Sequence, residues 1–288
     1  MVLSVMGVNT GVIRQSNNFS ALALKIKHPK SKYTLLFFPL VALKDFLLAL
    51  EHRLALQAKS AGTTKETQRK AIDSASKKMH SHIPEIKEAE LKMADIGQRV
   101  NKVELQQNGD DALVFTFHLH SGKNIKLSIN EYQIELLVTA IIHAINNSGL
   151  HDIALSLSSL LDFLPLYDAD FLSDGNIAYD TYAQDEWKLA LFTRHQALIY
   201  HYQDEDGQTQ YGGTVIKTRD ASDSDEMASI SRRLLDYSHR LNKLKGKPCQ
   251  VSVKTLSADM RHKLTLEQCM YSLQLLQQQV KEEKSAEK

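Results

Sequence analysis

Two stretches of the chain carry the same pattern of apolar positions, separated by 91 residues. In residues 22–54 and 113–145, apolar residues first alternate with polar ones and then recur every three or four positions. Alternation is typical of a half-buried strand, and the longer period is typical of an amphipathic helix. The matched apolar positions of the first stretch are Leu22, Leu24, Ile26, Leu36, Phe38, Leu43, Phe46, Leu50 and Leu54. Their counterparts are Leu113, Phe115, Phe117, Leu127, Ile129, Ile134, Leu137, Ile141 and Ile145. Each stretch therefore predicts two strands followed by a helix.

One more strand precedes each stretch. Residues 2–8 predict the first, followed by a turn that carries Gly7, Asn9 and Gly11, and residues 99–107 predict the other. The fold class is therefore α+β, with tandem β-β-β-α units whose antiparallel sheets are each backed by an amphipathic helix. We place the first unit at 1–57, a helical insertion at 58–98, and the second unit with one further helix at 99–165.

The insertion repeats an apolar residue every seven positions. Ile72, Met79, Ile86 and Met93 form this seam, as the a positions of a coiled coil would. Pro84 interrupts it, which favours two helices that meet near residues 82–84. A helical hairpin packed on the sheets and an oligomer seam between chains are the two interpretations.

The second half of the chain has a weaker pattern. Residues 166–186 are acidic and predict a loop-rich connection. A C-terminal α+β domain follows at 187–281, in which residues 187–193 would form a first strand. The last residues, 282–288, predict a disordered tail. A third β-β-β-α unit in this region matches the first two only with insertions and deletions.

Composition and charge bound the class of protein. The 288 residues are 43% apolar with a net charge of +1, so the whole molecule is neither a polyanion binder nor an acidic solvator. The first 60 residues are nevertheless basic, with eight Lys and Arg against two acids. Cys249 and Cys269 predict two reduced, buried thiols. With no apolar run near 18 residues and no signal peptide pattern, we expect a cytoplasmic protein without a membrane partner.

The outward face of the first hairpin suggests a ligand. If Leu24 and Leu36 point inward, lysines and aromatic rings alternate on the other side. Such a face fits single-stranded nucleic acid, because rings stack on bases and lysines contact phosphates. The candidate residues are Arg14, Lys25, Lys27, Lys30, Lys32, Tyr33 and Phe37. The alternative is that another sheet, the insertion or a second subunit buries this face, which would make the protein an interaction or oligomerisation module.

Catalytic and metal motifs are missing from the sequence. His118 and His120 have no partners at zinc spacing, and no phosphate-binding loop or nucleophile elbow occurs. Asp168, Asp170 and Asp174 could collect a divalent ion, but a solvated connection is the simpler interpretation. We expect no cofactor, no metal and no catalytic residues. An enzyme with dispersed catalytic residues stays a third option behind a binding or regulatory protein.

Two resemblances add to this interpretation. The sheet followed by a helix with Phe46 and Leu50, or Leu137 and Ile141, resembles PUR-repeat and whirly proteins, which implies curved sheets that bind single-stranded DNA or RNA. Those families use four strands per helix, whereas three are predicted here. The segments Gly7-Val8-Asn9-Thr10-Gly11-Val12 and Phe19-Ser20-Ala21-Leu22 are similar to enterobacterial YjeJ-type proteins. This second resemblance implies a bacterial cytoplasmic protein and adds no activity.

Overall fold

The computed structural model describes residues 2–60, 65–108, 111–159, 161–172, 175–204, 206–257 and 264–286. The chain divides into two compact units, Met1–Leu161 and Asp162–Lys288. Each unit combines antiparallel strands with helices, so the fold class is α+β, as predicted.

The first unit contains the duplicated pattern. Its first part consists of β1 (Val2–Ser4), β2 (Gly7–Gln15), β3 (Asn18–His28), β4 (Lys32–Phe38) and α1 (Leu40–Ser60). Its later part consists of β5 (Val100–Asn108), β6 (Ala112–Leu119), β7 (Asn124–Asn130), α4 (Ile134–Asn147) and α5 (His151–Ser159). Strands β2, β3 and β4 form one antiparallel sheet, and the other has the order β1-β7-β6-β5 with β1 parallel to β7. In each copy three strands are followed by a helix, β2 to β4 with α1 and β5 to β7 with α4, which confirms the tandem β-β-β-α arrangement. The first strand of the first copy is β2 rather than the predicted strand at 2–8, because that range holds β1, which pairs in the other sheet, and only the start of β2.

The inward faces of the two copies pack on each other. Phe38 of the first copy meets Phe117 of the second with ring centroids 5.3 Å apart, and Phe46 meets Phe115 at 5.0 Å. These edge-to-face contacts are favoured geometries for aromatic rings. Every apolar position of the repeat except the half-buried Leu54 is buried, down to Ile145 at the end of the pattern. The periodicity therefore located the core of this unit correctly.

The insertion contains two unequal helices, α2 (Lys65–His80) and α3 (Glu88–Lys92). A seven-residue spacing aligns side chains only along a continuous helix, and residues 83–87 lie outside both helices. Met79 is buried within α2, whereas Met93 is 81% exposed at the end of α3. Ile72 and Ile86 are half-buried on separate segments. The four residues of the predicted oligomer seam therefore do not lie along one continuous helix.

The second unit is a five-stranded antiparallel sheet in the order β12-β10-β11-β8-β9. Its elements are β8 (Phe163–Phe171), β9 (Ile177–Thr181), α6 (Glu186–Leu189), β10 (Arg194–Gln203), β11 (Thr209–Thr218), α7 (Asp225–Tyr237), β12 (Gln250–Ser257) and α8 (Leu266–Ala286). Ile199 packs with Leu273 of α8, and the hydroxyl of its neighbour Tyr200 donates to the Ser231 carbonyl oxygen of α7 at 2.7 Å. Because neighbouring strand residues point to opposite faces, the sheet lies between α7 and α8.

Three predictions for the second half are wrong. The acidic connection at 166–186 contains the end of β8 and all of β9, and the strand predicted at 187–193 begins within helix α6. Helix α8 continues to Ala286, into the predicted disordered tail.

Distant basic residues explain why the acidic strands form. Arg240 contacts Asp170 and Asp180 at 2.8 Å each, and Lys243 adds a contact to Asp170 at 2.5 Å. These partners are about 60 to 70 positions away in sequence, so a local charge count misses them. Asp174 lies outside the described residues. The side chains of Arg240 and Lys243 thus contact the two carboxylate oxygens of Asp170, which the sequence analysis had considered as ligands of a divalent ion.

Candidate binding surface on the first sheet

The outward face of the sheet formed by β2, β3 and β4 is a grid fixed by the strand register. Residues directly opposite each other on neighbouring strands point to the same side. Counted from the β3–β4 turn, the outward rows are Gly7 with Lys27 and Tyr33, Asn9 with Lys25 and Leu35, Gly11 with Ala23 and Phe37, and Ile13 with Ala21. The core residues of the repeat occupy the opposite side, so this is the face for which the sequence suggested a nucleic-acid ligand.

Part of the insertion lies on this face. The Asn9 side-chain amide donates to the Pro84 carbonyl oxygen at 2.8 Å, and Leu91 of α3 packs against a small buried cluster that includes Phe37. A Cβ atom on Gly7 would lie 2.1 Å from the His82 carbonyl oxygen, which no side chain permits. The two backbones therefore approach each other at a position that only glycine can occupy.

This contact corrects the turn predicted at Gly7, Asn9 and Gly11. Strand β2 runs through all three residues and continues to Gln15. The space above Gly11 is filled by Leu91, 3.5 Å from the place where a Cβ would be. The glycines therefore mark the close approach of residues 82–91, which we call the covering segment, rather than a reversal of the chain.

Lys25 is engaged by the covering segment. Its amine contacts both carboxylate oxygens of Glu90, at 2.7 and 2.8 Å, and its side chain is 13% exposed. The hydrogen bond from Lys25, followed by one from the Lys87 backbone N–H, lowers the pKa of Glu90. Lys25 therefore has its counter-ion within the chain and is a poor candidate for a phosphate contact.

Two further candidates, Phe37 and Arg14, lie apart from the exposed lysines at the β3–β4 turn. Phe37 is 4% exposed and packs with Ala21 and Ala23, so its ring is not available for stacking on a base. Arg14 lies near the β2–β3 turn, at the opposite end of the sheet from the β3–β4 turn, and donates to the Ser148 carbonyl oxygen at 2.8 Å. The structure separates both residues from the remaining lysines.

The remaining candidates are close together at the β3–β4 turn. Lys30 and Lys32 are exposed, Lys27 is half-buried, and Tyr33 is 53% exposed. Within the described part of the chain, none of the three lysines makes an ion pair. Register places Tyr33 directly opposite Lys27. We call Lys27, Lys30, Lys32 and Tyr33 the basic rim.

A groove that the sequence did not reveal lies at the other end of the same face. It encloses about 720 Å³. Its apolar lining includes Ile13, Phe19, Phe37 and Ile96, and Arg99 lines it too. Arg99 is exposed and has no side-chain partner among the residues that the structure describes. The groove depends on residues 94–99 lying beside the hairpin, a long-range contact without a local pattern.

The second copy presents a different outward face. The carboxylate of Glu104 lies 2.9 Å from the Lys102 amine and 3.1 Å from His118 Nε2. These two partners, Lys102 first, lower the pKa of Glu104. His118 is thus part of a charge cluster on the sheet, and across the described ranges no group of three or more candidate metal ligands is found.

The cysteines differ from each other. Cys269 is fully buried under the sheet, and burial raises the pKa of its thiol to about 11. Cys249 is only half-buried, directly before β12, so the prediction of two buried thiols holds for one of them. Both thiols are free. No helix among the described residues is long and apolar enough to cross a membrane.

The fold and this surface define an α+β protein with duplicated β-β-β-α units, one of which has a basic rim. The chain belongs to the YjeJ-like family, whose model matches residues 1–283. It is similar to the "Uncharacterized protein YjeJ" of Escherichia coli (strain K12), with 50% identity over 279 residues, or 97% of this chain and 96% of that protein. No solved structure matches. The resemblance to PUR-repeat and whirly proteins is not confirmed.

Proposed function

We propose that this protein is a non-enzymatic binding protein whose ligand is single-stranded nucleic acid, held at the basic rim. The observation that carries the proposal is that Lys27, Lys30 and Lys32 form no ion pair with the residues that the structure describes and lie close in sequence or register to the exposed ring of Tyr33. Lysines bind phosphates and release counter-ions, and an aromatic ring stacks on a base of any sequence. The cytoplasmic location expected from the sequence is part of this proposal.

The covering segment changes the geometry of this ligand site. The sequence suggested the outward face of the first hairpin as the ligand site, but residues 82–91 cover that face along β2, from Gly7 beneath His82 to Gly11 beneath Leu91. The proposed ligand therefore crosses the end of the hairpin. Three lysines and one ring make a small site, so we expect weak binding without strong base preference.

The equivalent turn of the second copy provides a control for the test. At the offset of 91 residues, Lys32 corresponds to Lys123, which is also exposed, but Asn124 replaces Tyr33. We would measure fluorescence anisotropy of a labelled single-stranded oligonucleotide at low salt. The variant K30A/K32A should bind about tenfold more weakly, equivalent to about 1.4 kcal/mol.

The control variant K123A/K126A removes the same charge from the second copy and should bind like the wild type. Equal losses in the two variants would mean that net charge alone governs the binding. Wild-type protein that fails to bind the oligonucleotide at low salt would rule out this ligand class.

A protein partner is the second candidate, favoured by the apolar groove beside Phe19 and Ile96. Arg99 at its side suits an extended apolar peptide that carries a carboxylate. Peptides selected by display against the wild type should lose binding to Ile96→Asp and keep binding to Ile83→Asp, which changes an exposed apolar residue outside the groove. Selection of no peptide, or equal loss in both variants, would contradict this candidate.

A further inference from the structure

Strand β12 is a long edge of the sheet in the second unit. It pairs with β10 on one side, and in the described ranges no strand pairs with its other side. Its eight residues include no proline, and Val251 is exposed. Backbone N–H and C=O groups along such an edge are a template for another strand.

Helix α8 adds an apolar ridge next to this edge. Gln279 accepts a hydrogen bond from Lys254 of β12 at 3.5 Å, which places that side of the helix toward the edge. Leu275 and Tyr271 precede Gln279 by one and two turns, so the three residues form one ridge of positions four apart. Leu275 is exposed, and Tyr271 is 62% exposed. Exposed apolar side chains beside an open strand edge are typical of an interface.

The sequence of β12 is complementary to itself. An antiparallel pairing centred on Ser252 places Val251 opposite Val253 and Gln250 opposite Lys254. Lys254 and Ser252 lie opposite Ala197 and Ile199 of β10, so they share the face of the sheet toward α8, and the two valines share the other face. On one face the pairing therefore brings apolar residues together, and on the other face no two like charges lie opposite each other.

We propose that two copies of this chain associate through β12, forming a continuous ten-stranded sheet around a two-fold axis at Ser252. The same axis brings the Tyr271 and Leu275 ridges of the two α8 helices to one side of the joined sheet. A two-fold axis uses one patch on both partners and closes the assembly. The self-complementary register is the reason to choose a second copy over an unrelated strand. This interface lies in the second unit and does not depend on the proposed nucleic-acid ligand.

The first experiment measures the mass of the full chain by light scattering. The wild type should have about twice the 32.5 kDa mass of one chain. Y271E/L275E should be monomeric with an unchanged circular dichroism spectrum, since both residues are on the helix surface. Leu155→Glu, which adds charge at an exposed leucine in α5, should leave the dimer intact. A monomeric wild type, or a dimer unaffected by Y271E/L275E, would overturn the proposal.

The second experiment tests the register. Ser252→Cys places two thiols opposite each other across the axis, within the range of a disulfide. Gln250→Cys places its two thiols about four residues apart, or about 13 Å, which is too far. Mild oxidation should give a covalent dimer of Ser252→Cys above the wild-type level and not of Gln250→Cys. The same yield from both variants would show that the copies associate in another way.

Discussion

Gly7 and Lys25 determine which part of the first sheet stays accessible. The missing side chain of Gly7 admits the His82 carbonyl group to the sheet, and Lys25 holds Glu90 of the same covering segment. Two residues further along β3, Lys27 has no ion-pair partner in the described structure. Residues with the same chemistry therefore have different roles, and the difference comes from a segment more than 50 positions away in sequence.

Gly7→Ala tests the covering contact at this scale. The new methyl group would lie 2.1 Å from the His82 carbonyl oxygen, so the backbones must separate. Overpacking of this kind costs about 1–3 kcal/mol in the free energy of unfolding, which urea denaturation measures. Gly11→Ala is the matched control, since its Cβ would meet Leu91 at an ordinary 3.5 Å. Equal losses in the two variants would argue against the close approach at Gly7.

At the scale of elements, the ion pair of Lys25 and Glu90 docks α3 on the sheet. A double-mutant cycle with Lys25→Met and Glu90→Gln should give a coupling energy of up to about 1 kcal/mol at neutral pH, because the pair is partly shielded from water. The pair of Lys92 and Glu88 on the same helix is the control. Both of its side chains are largely exposed, so its coupling should be close to zero.

The same pair predicts a dependence on pH. Because the pKa of Glu90 is lowered in the folded state from its ordinary value of 4.5, the stabilisation is complete above that pH. It is lost as the pH falls through the lowered pKa, when the carboxylate becomes protonated. Urea denaturation of the wild type and Lys25→Met should therefore converge below pH 4.5. A difference that stays constant through this range would show that Lys25 acts through packing alone.

Sequence periodicity predicted the elements of the first unit because strand and helix faces are local properties. Leu24, Phe38 and Leu137 are all buried where the pattern placed them. The sequence left open whether the insertion covers the first sheet, because residues 83–87 lie outside the helices and α3 has only five residues, too few to show a helical period. Glycines at alternate outward positions of a strand were the available signal, since they often mark a close backbone approach.

The acidic strands β8 and β9 show a second limit of local patterns. Their negative charge predicted a solvated loop, whereas in the structure Arg240 forms ion pairs with Asp170 and Asp180 within the unit. Asp168 is fully buried and accepts a hydrogen bond from the Tyr182 hydroxyl at 2.5 Å. Buried carboxylates need such partners, and these partners are known only when the fold is known.

For the whole molecule, the duplication separates a shared core from surfaces that differ. The two copies agree on the inward positions that pack Phe38 and Phe46 against Phe115 and Phe117. Their outward faces diverge, and the sequence correctly indicated that the first copy is the more basic one. Of its seven candidate residues, four form the basic rim. These four residues lie at the end of the hairpin, so our proposal puts the ligand there rather than across the sheet surface.

The central claim is that the basic rim binds single-stranded nucleic acid through its lysines. The most direct test is the affinity of the wild-type protein for a single-stranded oligonucleotide across a series of salt concentrations. Three phosphate contacts predict that the logarithm of the binding constant falls with the logarithm of salt at a slope of about −2. A slope near zero, or no binding at the lowest salt, would contradict the claim.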